Sequence, residues 1–239
     1  ISVYGDLPLN VIALDKEFII RNEGSQTAKK RTKNLFIFNS NHHSKIYLQI
    51  ACNAKIPNNG IAKDDAEFVK EEKNITFVAA SGRQYASLKK LFAPVADQIL
   101  YIPDNGGFVR GSKGETWLKR PMEKDLIRAI VEDAEKLPDV ELLLCGRDYA
   151  YVGSEDGRLY NWMREAYRYE IKAVPDLTDI NDDIVKISIF HPEDAERIVK
   201  DWFYDKWKDT VLLAPAGVYW VDCSEPSINK GSALQFLLD

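Results

Sequence analysis

Apolar positions recur along this chain with two periods, and from about residue 62 onward they predict strands that alternate with helices. Short apolar runs bounded by turn residues, such as ITFVAAS and VELLLCG, are typical of buried strands. Apolar residues spaced three and four apart, as in QYASLKKLFAPV and MEKDLIRAIVEDAEKL, are typical of helices with one buried face. This alternation predicts a globular α/β fold.

The remaining segments extend this prediction toward both ends of the chain. An antiparallel hairpin is expected in FVRGSKGETWLKR, and TVLLAP and VYWVDC are expected to pair. Residues 1–60 show no clean period beyond two short strands. The other expected elements are helices in AKDDAEFVKEEKN, LYNWMREAYRYE, PEDAERIVKDWFYD (with Pro192 in its first turn) and NKGSALQFLLD, and strands in NVIALD, NLFIF, QILYIP, DYAYVG and IVKISIF.

Composition narrows the class of protein. With 239 residues, 45% of them hydrophobic, the chain is long enough to bury a core. No apolar run approaches the ~20 residues of a membrane span, and no signal peptide is recognisable at the start. Cys52, Cys145 and Cys223 lack C-x-x-C spacing and form no zinc site with His42 and His43, which favours reduced thiols in the cytoplasm. A net charge of −5 argues against nucleic acid as a partner.

Candidate chemistry begins where the strand ITFVAAS meets the helix that follows it. Ser81, Gly82 and Arg83 lie at this junction. The backbone N–H groups at a helix N-terminus attract anions, and a guanidinium binds phosphate through two hydrogen bonds. A Ser-Gly-Arg turn alone more often caps a helix than forms a site, so its weight depends on motifs elsewhere in the chain.

Three segments in the right order supply those motifs: ITFVAASGRQYASL, LYIPDNGGFV and INKGSALQFL. Together they resemble the haloacid dehalogenase superfamily, and more narrowly the Cof-type sugar-phosphate phosphatases, over about residues 62–239. The resemblance implies a Rossmann-like α/β core with catalytic loops at the carboxyl ends of its strands and an inserted class IIB α/β cap. It places the core at residues 1–112 and 219–239 and the cap at residues 113–218.

The resemblance also assigns roles to residues. Ser81 matches the hydroxyl that holds a phosphoryl oxygen, and Lys230 matches the lysine that neutralises charge between nucleophile and phosphate. Both therefore count as catalytic and as substrate-binding candidates. The full substrate-binding set is Ser81, Gly82, Arg83, Asn105, Gly106 and Lys230.

The first family loop, Asp-x-Asp-Gly-Thr, is aberrant in this chain. Asp15 in VIALDKEFII follows a strand-like run and is the candidate nucleophile and Mg²⁺ ligand, with Glu17 as the second acid. Phe18 stands where the tight turn requires glycine, and Asp15 lies farther ahead of Ser81 than in the family. Asn39 in NLFIFNSNHH fits the spacing better but is an amide. A third interpretation is that residues 1–60 are not homologous to the family.

The fourth family motif, Gly-Asp-x-x-Asn-Asp, does not occur in the nine residues that follow Lys230. By resemblance, the expected function is Mg²⁺-dependent hydrolysis of small phosphorylated metabolites such as sugar phosphates. Turnover of the chain as it stands is expected to be weak or absent, since a hard cation needs several oxygen ligands. The alternative is a non-catalytic protein that binds phosphate or serves as an interaction module. The oligomeric state stays open.

Some residues allow two interpretations. Trp202, Trp207 and Trp220 are expected to pack in the core or cap rather than contact substrate. Asp222 is either a partner of the site or an ordinary acid at a strand end, and Cys145 is expected to be a buried small apolar residue. The basic residues within 1–60 leave open a contact with an acidic partner.

Overall fold

The computed structural model describes residues 35–39, 45–50 and 75–239, and this part of the chain contains two six-stranded sheets with helices packed on them. The expected α/β class is confirmed. The strand predicted in NVIALD and the helix predicted in AKDDAEFVKEEKN lie outside the described residues. Among the described residues, no helix has both the length and the apolar composition needed to cross a bilayer.

The first sheet is parallel at its centre. β2 pairs with β3 and β3 with β4 in parallel, whereas β1 and the last two strands pair antiparallel to their neighbours. The carboxyl ends of β3 and β4 therefore meet at one edge, where open α/β sheets bind ligands. In spatial order the strands are β1 (Leu35–Asn39), β2 (Lys45–Ile50), β3 (Ile75–Ala80), β4 (Leu100–Ile102), β5 (Phe108–Arg110) and β6 (Thr116–Lys119).

The second sheet is antiparallel except where β8 pairs with β9. Its spatial order is β11-β12-β10-β7-β8-β9. The pairing expected between TVLLAP and VYWVDC is confirmed as that of β11 with β12. The strands are β7 (Glu141–Cys145), β8 (Ala150–Val152), β9 (Ile171–Ala173), β10 (Lys186–Phe190), β11 (Leu212–Pro215) and β12 (Trp220–Ser224).

Six α-helices lie in the described part of the chain. They are α1 (Tyr85–Leu91), α2 (Lys124–Ala134), α3 (Arg158–Glu165), α4 (Ala195–Trp202), α5 (Tyr204–Trp207) and α6 (Lys230–Leu238). The prediction that Pro192 opens the fourth helix is wrong. That helix begins at Ala195, because the side chain of Asp194 accepts a hydrogen bond from the Arg197 amide and caps it (3.0 Å).

Side-chain alternation along β3 explains how two helices cover the first sheet. Val78 and Ala80 pack with Leu234 of α6, whereas Ala79 between them packs with Leu88 of α1. Because successive side chains of a strand point to opposite faces, α1 and α6 lie on opposite sides of the sheet. Helices on both faces bury the central strands and leave the carboxyl edge open.

The chain passes between the two sheets twice. β6 (Thr116–Lys119) is the last strand of the first sheet before α2, and β12 (Trp220–Ser224) is the last strand of the second sheet before α6. The sheets also contact each other directly. Gln84 exchanges two hydrogen bonds with the backbone of Glu170, at 2.8 and 2.9 Å. This contact holds the start of α1 against the second sheet.

Candidate functional site

A cleft of about 480 Å³ lies between the carboxyl edge of the first sheet and one face of the second. Its polar wall contains residues from distant parts of the sequence. The candidate residues that line it are Ser81, Gly82, Arg83, Asn105 and Lys230. Gly106, also predicted to bind substrate, is not among the lining residues. Asp15 and Glu17 lie outside the described residues, so their position relative to the cleft is not described.

Ser81 follows β3 directly and is buried. Its amide donates to the carbonyl of Ile102 at 2.9 Å, which continues the pairing of β3 with β4 by one residue. Its Oγ accepts a hydrogen bond from the Arg83 amide at 3.2 Å. The guanidinium of Arg83 lies 4.6 Å from the centre of the Tyr167 ring, so an aromatic residue that follows α3 holds this cation at the cleft.

The turn after β4 contacts the Ser81 loop from the adjacent strand. Its residues Asp104 and Asn105 both have positive φ, at 47° and 58°. Their amides donate to the carbonyls of Arg83 (3.0 Å) and Ser81 (2.9 Å). Asn105 also donates from Nδ2 to Asp222 of the second sheet at 2.8 Å. The turn therefore links the Ser81 loop to the facing sheet.

Gly106 brings the start of α6 up to this turn. Its φ is +104°, and a Cβ there would lie 2.5 Å from the carbonyl oxygen of Asn229. Asn229 caps α6 by accepting from the Ser232 amide at 2.8 Å, and Lys230 is the first residue of the helix. Gly106 therefore acts through packing, because its missing side chain allows the backbone at the start of α6 to lie against the turn after β4.

The second sheet contributes polar residues, of which the sequence analysis considered only Asp222. Lys186 and Ser188 of β10 lie beside Asp222 and Ser224 of β12, and all four line the cleft. The alternation in IVKISIF could have identified Lys186 and Ser188. Because Ile187 and Ile189 pack in the core from one face of the strand, Lys186 and Ser188 lie on the other face. A buried lysine on a strand whose other face is apolar indicates an acidic partner.

That partner is Asp222. Lys186 Nζ lies 3.3 Å from Asp222 Oδ2, and the Ser188 hydroxyl donates to Asp222 Oδ1 at 2.6 Å. Of the two interpretations left open for Asp222, the structure supports a partner within this site. Burial disfavours the charged amine of Lys186, yet Asp222 and the other acidic groups around it hold the pKa of Lys186 well above its ordinary value.

Asp104 lies in the same buried group and is only 1% exposed. Its Oδ1 has no hydrogen-bond partner among the described residues. Burial raises the pKa of this carboxyl to about 7, although Lys186 opposes the change. Cys145 lies beside it and is buried as expected, and burial raises the pKa of its thiol too.

The raised pKa of Asp104 predicts a dependence of stability on pH. Between about pH 4 and pH 7 the folded protein keeps a proton that the unfolded chain releases, so the free energy of unfolding falls as pH rises through this window. The slope is at most about 1.4 kcal/mol for each pH unit. Urea unfolding from pH 4 to pH 8 measures it.

Asp104→Asn should remove this slope, because the amide does not titrate. Asp97→Asn is the matched control, since Asp97 is exposed and its removal changes the net charge equally. An unchanged slope in Asp104→Asn would show that Asp104 is ionised in the folded protein at all these pH values.

A divalent metal does not fit the described residues alone. No group of three or more His, Cys, Asp or Glu side chains that could hold a metal ion occurs among them. The buried carboxylate of Asp222 is already engaged by Lys186, Ser188 and Asn105. A Mg²⁺ ion needs several oxygen ligands in octahedral geometry, so residues 75–239 do not provide its site.

Apolar and aromatic residues form the other wall of the cleft. Trp220 lines it and also packs against its neighbours, as expected for the tryptophans. Its ring lies 5.7 Å from that of Trp162 and 5.1 Å from that of Phe190. Trp207 is buried as expected, whereas Trp202 is 72% exposed on the surface. The cleft thus has a polar end on the first sheet and an aromatic side on the second.

The comparison of this chain with known proteins identifies one protein family. The model of the haloacid dehalogenase-like hydrolases matches residues 57–239. The chain is 26% identical over 163 residues to the 5-amino-6-(5-phospho-D-ribitylamino)uracil phosphatase YbjI of Escherichia coli strain K12. That match covers 68% of this chain and 60% of the relative, so the chain spans less than two thirds of the relative's length.

Solved structures show the same architecture. A protein from Eubacterium rectale is 28% identical, with a TM-score of 0.72 over 82% of this chain and 76% of that one. The subclass IIB sugar phosphatase BT4131 is 15% identical, with a TM-score of 0.58 over 74% of this chain and 66% of that one. At 15% identity the second likeness shows the fold alone.

Proposed function

Because this chain belongs to the haloacid dehalogenase-like hydrolases, with a Rossmann-like core and a class IIB cap, we propose that it is a phosphatase of small phosphorylated metabolites. The observation that carries the proposal is that Ser81, Arg83 and Lys230 line one cleft although up to 149 residues separate them. The sequence analysis placed the cap at residues 113–218. We propose that it instead begins between Lys119 and Lys124 and ends between Ser224 and Lys230, where the chain changes sheets.

The proposed role of these residues is to hold a phosphate group. Lys230 and Arg83 supply positive charge, and charge-assisted hydrogen bonds are about twice as strong as neutral ones. The Ser81 hydroxyl accepts from the Arg83 amide, and a hydroxyl is also a donor of the kind that a phosphoryl oxygen accepts from. We call Ser81, Arg83 and Lys230 together the phosphate seat. Its proposed role is to stabilise the negative charge that develops on the transferred phosphoryl group.

The proposed chemistry needs a nucleophile and a metal ion that the described residues do not supply. By resemblance, Asp15 with Glu17 remains the proposed source, with Mg²⁺ as the ion that screens repulsion between the carboxylate and the phosphate. We propose weak turnover, because Phe18 and Glu17 replace the glycine and the second aspartate of the family loop. The unpaired thiols of Cys145 and Cys223 support a cytoplasmic location.

The aromatic wall supports a more specific substrate class. A ring can stack beside Trp220, which is held by Trp162 and Phe190, while the phosphate lies on the polar wall. The relative named above acts on a ribityl phosphate that carries a uracil ring. We propose that this chain takes a phosphorylated sugar or polyol joined to a flat ring.

The test is release of inorganic phosphate from three substrates: an aryl phosphate, a plain sugar phosphate and 5-amino-6-(5-phospho-D-ribitylamino)uracil. We expect turnover with Mg²⁺, none with chelator, and the highest kcat/KM for the ring-bearing polyol. Trp220→Ala should lower that kcat/KM by about tenfold, since stacking contributes up to about 1.5 kcal/mol beyond the buried area. It should leave the plain sugar phosphate within about twofold.

The outcomes of this test distinguish the proposed substrate class from the proposed phosphatase activity. Equal losses on all three substrates in Trp220→Ala would contradict the substrate class and leave the phosphatase proposal intact. Phosphate binding by folded protein without turnover on any substrate would favour the second candidate, a non-catalytic phosphate-binding protein. The aberrant loop around Phe18 is the observation that favours this candidate.

A further inference from the structure

A buried cap lysine contacts the loop that carries Ser81. Lys186 is 4% exposed and lies in β10, on the face of the second sheet that lines the cleft. Its Nζ donates to the carbonyl oxygen of Gly82 at 3.0 Å and to Asp222 Oδ2 at 3.3 Å. Lys186 of the cap therefore binds the backbone carbonyl of Gly82 in the core loop after β3. The family resemblance assigned no role to Lys186.

The contact with Gly82 fixes the orientation of one peptide plane. The peptide between Gly82 and Arg83 is trans, so its C=O and N–H groups point in opposite directions. Lys186 holds the C=O, and the N–H on the other side donates to Ser81 Oγ at 3.2 Å. Rotation of this plane would break both hydrogen bonds together. Lys186 therefore sets the position of the Ser81 hydroxyl through a single rigid group.

Asp222 closes the same arrangement through Asn105. Its carboxylate accepts from Lys186 and from Asn105 Nδ2, the latter at 2.8 Å. The other end of that amide lies against Gly82, where a Cβ would be 2.9 Å from Asn105 Oδ1. Lys186 and Asn105 thus hold the loop at Gly82 from two sides, and both of them donate to Asp222.

We propose that Lys186 is a positioning residue of the phosphate seat, which acts on phosphate affinity through the Gly82–Arg83 peptide and the Ser81 hydroxyl. The inference rests on the proposed function, because it concerns the same seat. Lys186 shares its charge with Asp222, so its effect comes from orientation of the loop. It follows that a residue of the cap, which is far from the core loops in sequence, determines how tightly the core binds phosphate.

The test compares affinities for inorganic phosphate, measured by calorimetry on folded protein. Lys186→Met alone leaves Asp222 as an unpaired buried charge and endangers folding. The double variant Lys186→Met/Asp222→Asn removes both charges, and the asparagine still accepts from Asn105 or Ser188. We expect this variant to fold and to bind phosphate at least about tenfold more weakly, the factor for one lost charge-assisted hydrogen bond.

A second comparison separates positioning from a general effect on structure. In a Ser81→Ala background the same double substitution should weaken phosphate binding by less than about threefold, because the hydroxyl that it positions is absent. Lys119→Met is the matched control. Lys119 pairs with Asp183 at 2.8 Å and so also links core and cap, but at an exposed position away from Gly82.

The outcomes separate this inference from the proposed function. If the unaltered protein does not bind phosphate, the proposed function fails and the inference fails with it. If it binds phosphate and the double variant binds within about twofold of it, the inference alone is overturned. The same holds if the loss is equally large without the Ser81 hydroxyl, or if Lys119→Met weakens phosphate binding as much.

Discussion

Lys230→Ala is expected to lower kcat for phosphate release by about 10²–10³-fold, the usual cost of removing one group that stabilises transition-state charge. Lys230 is the first residue of α6 and lines the cleft beside Asn105. Affinity for inorganic phosphate should fall at least about tenfold, since a charge-assisted hydrogen bond is lost. Phosphate release and calorimetric titration measure the two effects, and the second remains measurable if turnover is weak.

Lys124→Ala provides the matched control. Lys124 is likewise the first residue of a helix, α2, but its side chain is exposed to solvent and does not line the cleft. Its replacement removes the same charge and should leave both quantities unchanged. Equal losses in the two variants would indicate a general effect of net charge, and unchanged phosphate affinity in Lys230→Ala would exclude Lys230 from the seat.

Gly106→Ala is expected to reduce the free energy of unfolding by about 2–5 kcal/mol. The left-handed backbone costs a residue with a Cβ about 1–2 kcal/mol, and overpacking adds about 1–3 kcal/mol. The new methyl group would lie 2.5 Å from the carbonyl oxygen of Asn229 and 3.2 Å from the amide nitrogen of Lys230. Backbone at a capped helix start cannot move aside as a flexible side chain can. Urea unfolding at constant m-value measures the loss.

Gly217→Ala isolates the packing component. Gly217 also has positive φ, at +93°, but nothing lies within 4 Å of the position of its Cβ. We expect it to lose only the conformational part, about 1–2 kcal/mol. Gly106→Ala should in addition weaken phosphate binding, because the methyl group would displace the start of α6 and with it Lys230, which lines the cleft. Equal stability losses in both variants would show that α6 shifts to accept the methyl group.

Local patterns were sufficient for most of the fold. Buried strands such as β3 and β10 and the amphipathic helix α2 follow from the spacing of apolar residues, which records burial directly. The start of α4 was predicted too early, because proline preference competes with the cap that Asp194 provides. The family motifs also brought Ser81, Asn105 and Lys230 to attention, and the structure places all three at one cleft.

The sequence by itself determined the α/β class, the order of the elements and the polar residues at the ends of β3 and β4, since each depends on neighbours a few positions apart. Only the tertiary structure decided that Lys186 contacts Gly82, that Asp222 contacts Asn105, and that Trp220 lines the cleft. The first two contacts join residues that are 104 and 117 positions apart. Strand pairing and cap placement fix such contacts, and no local period encodes them.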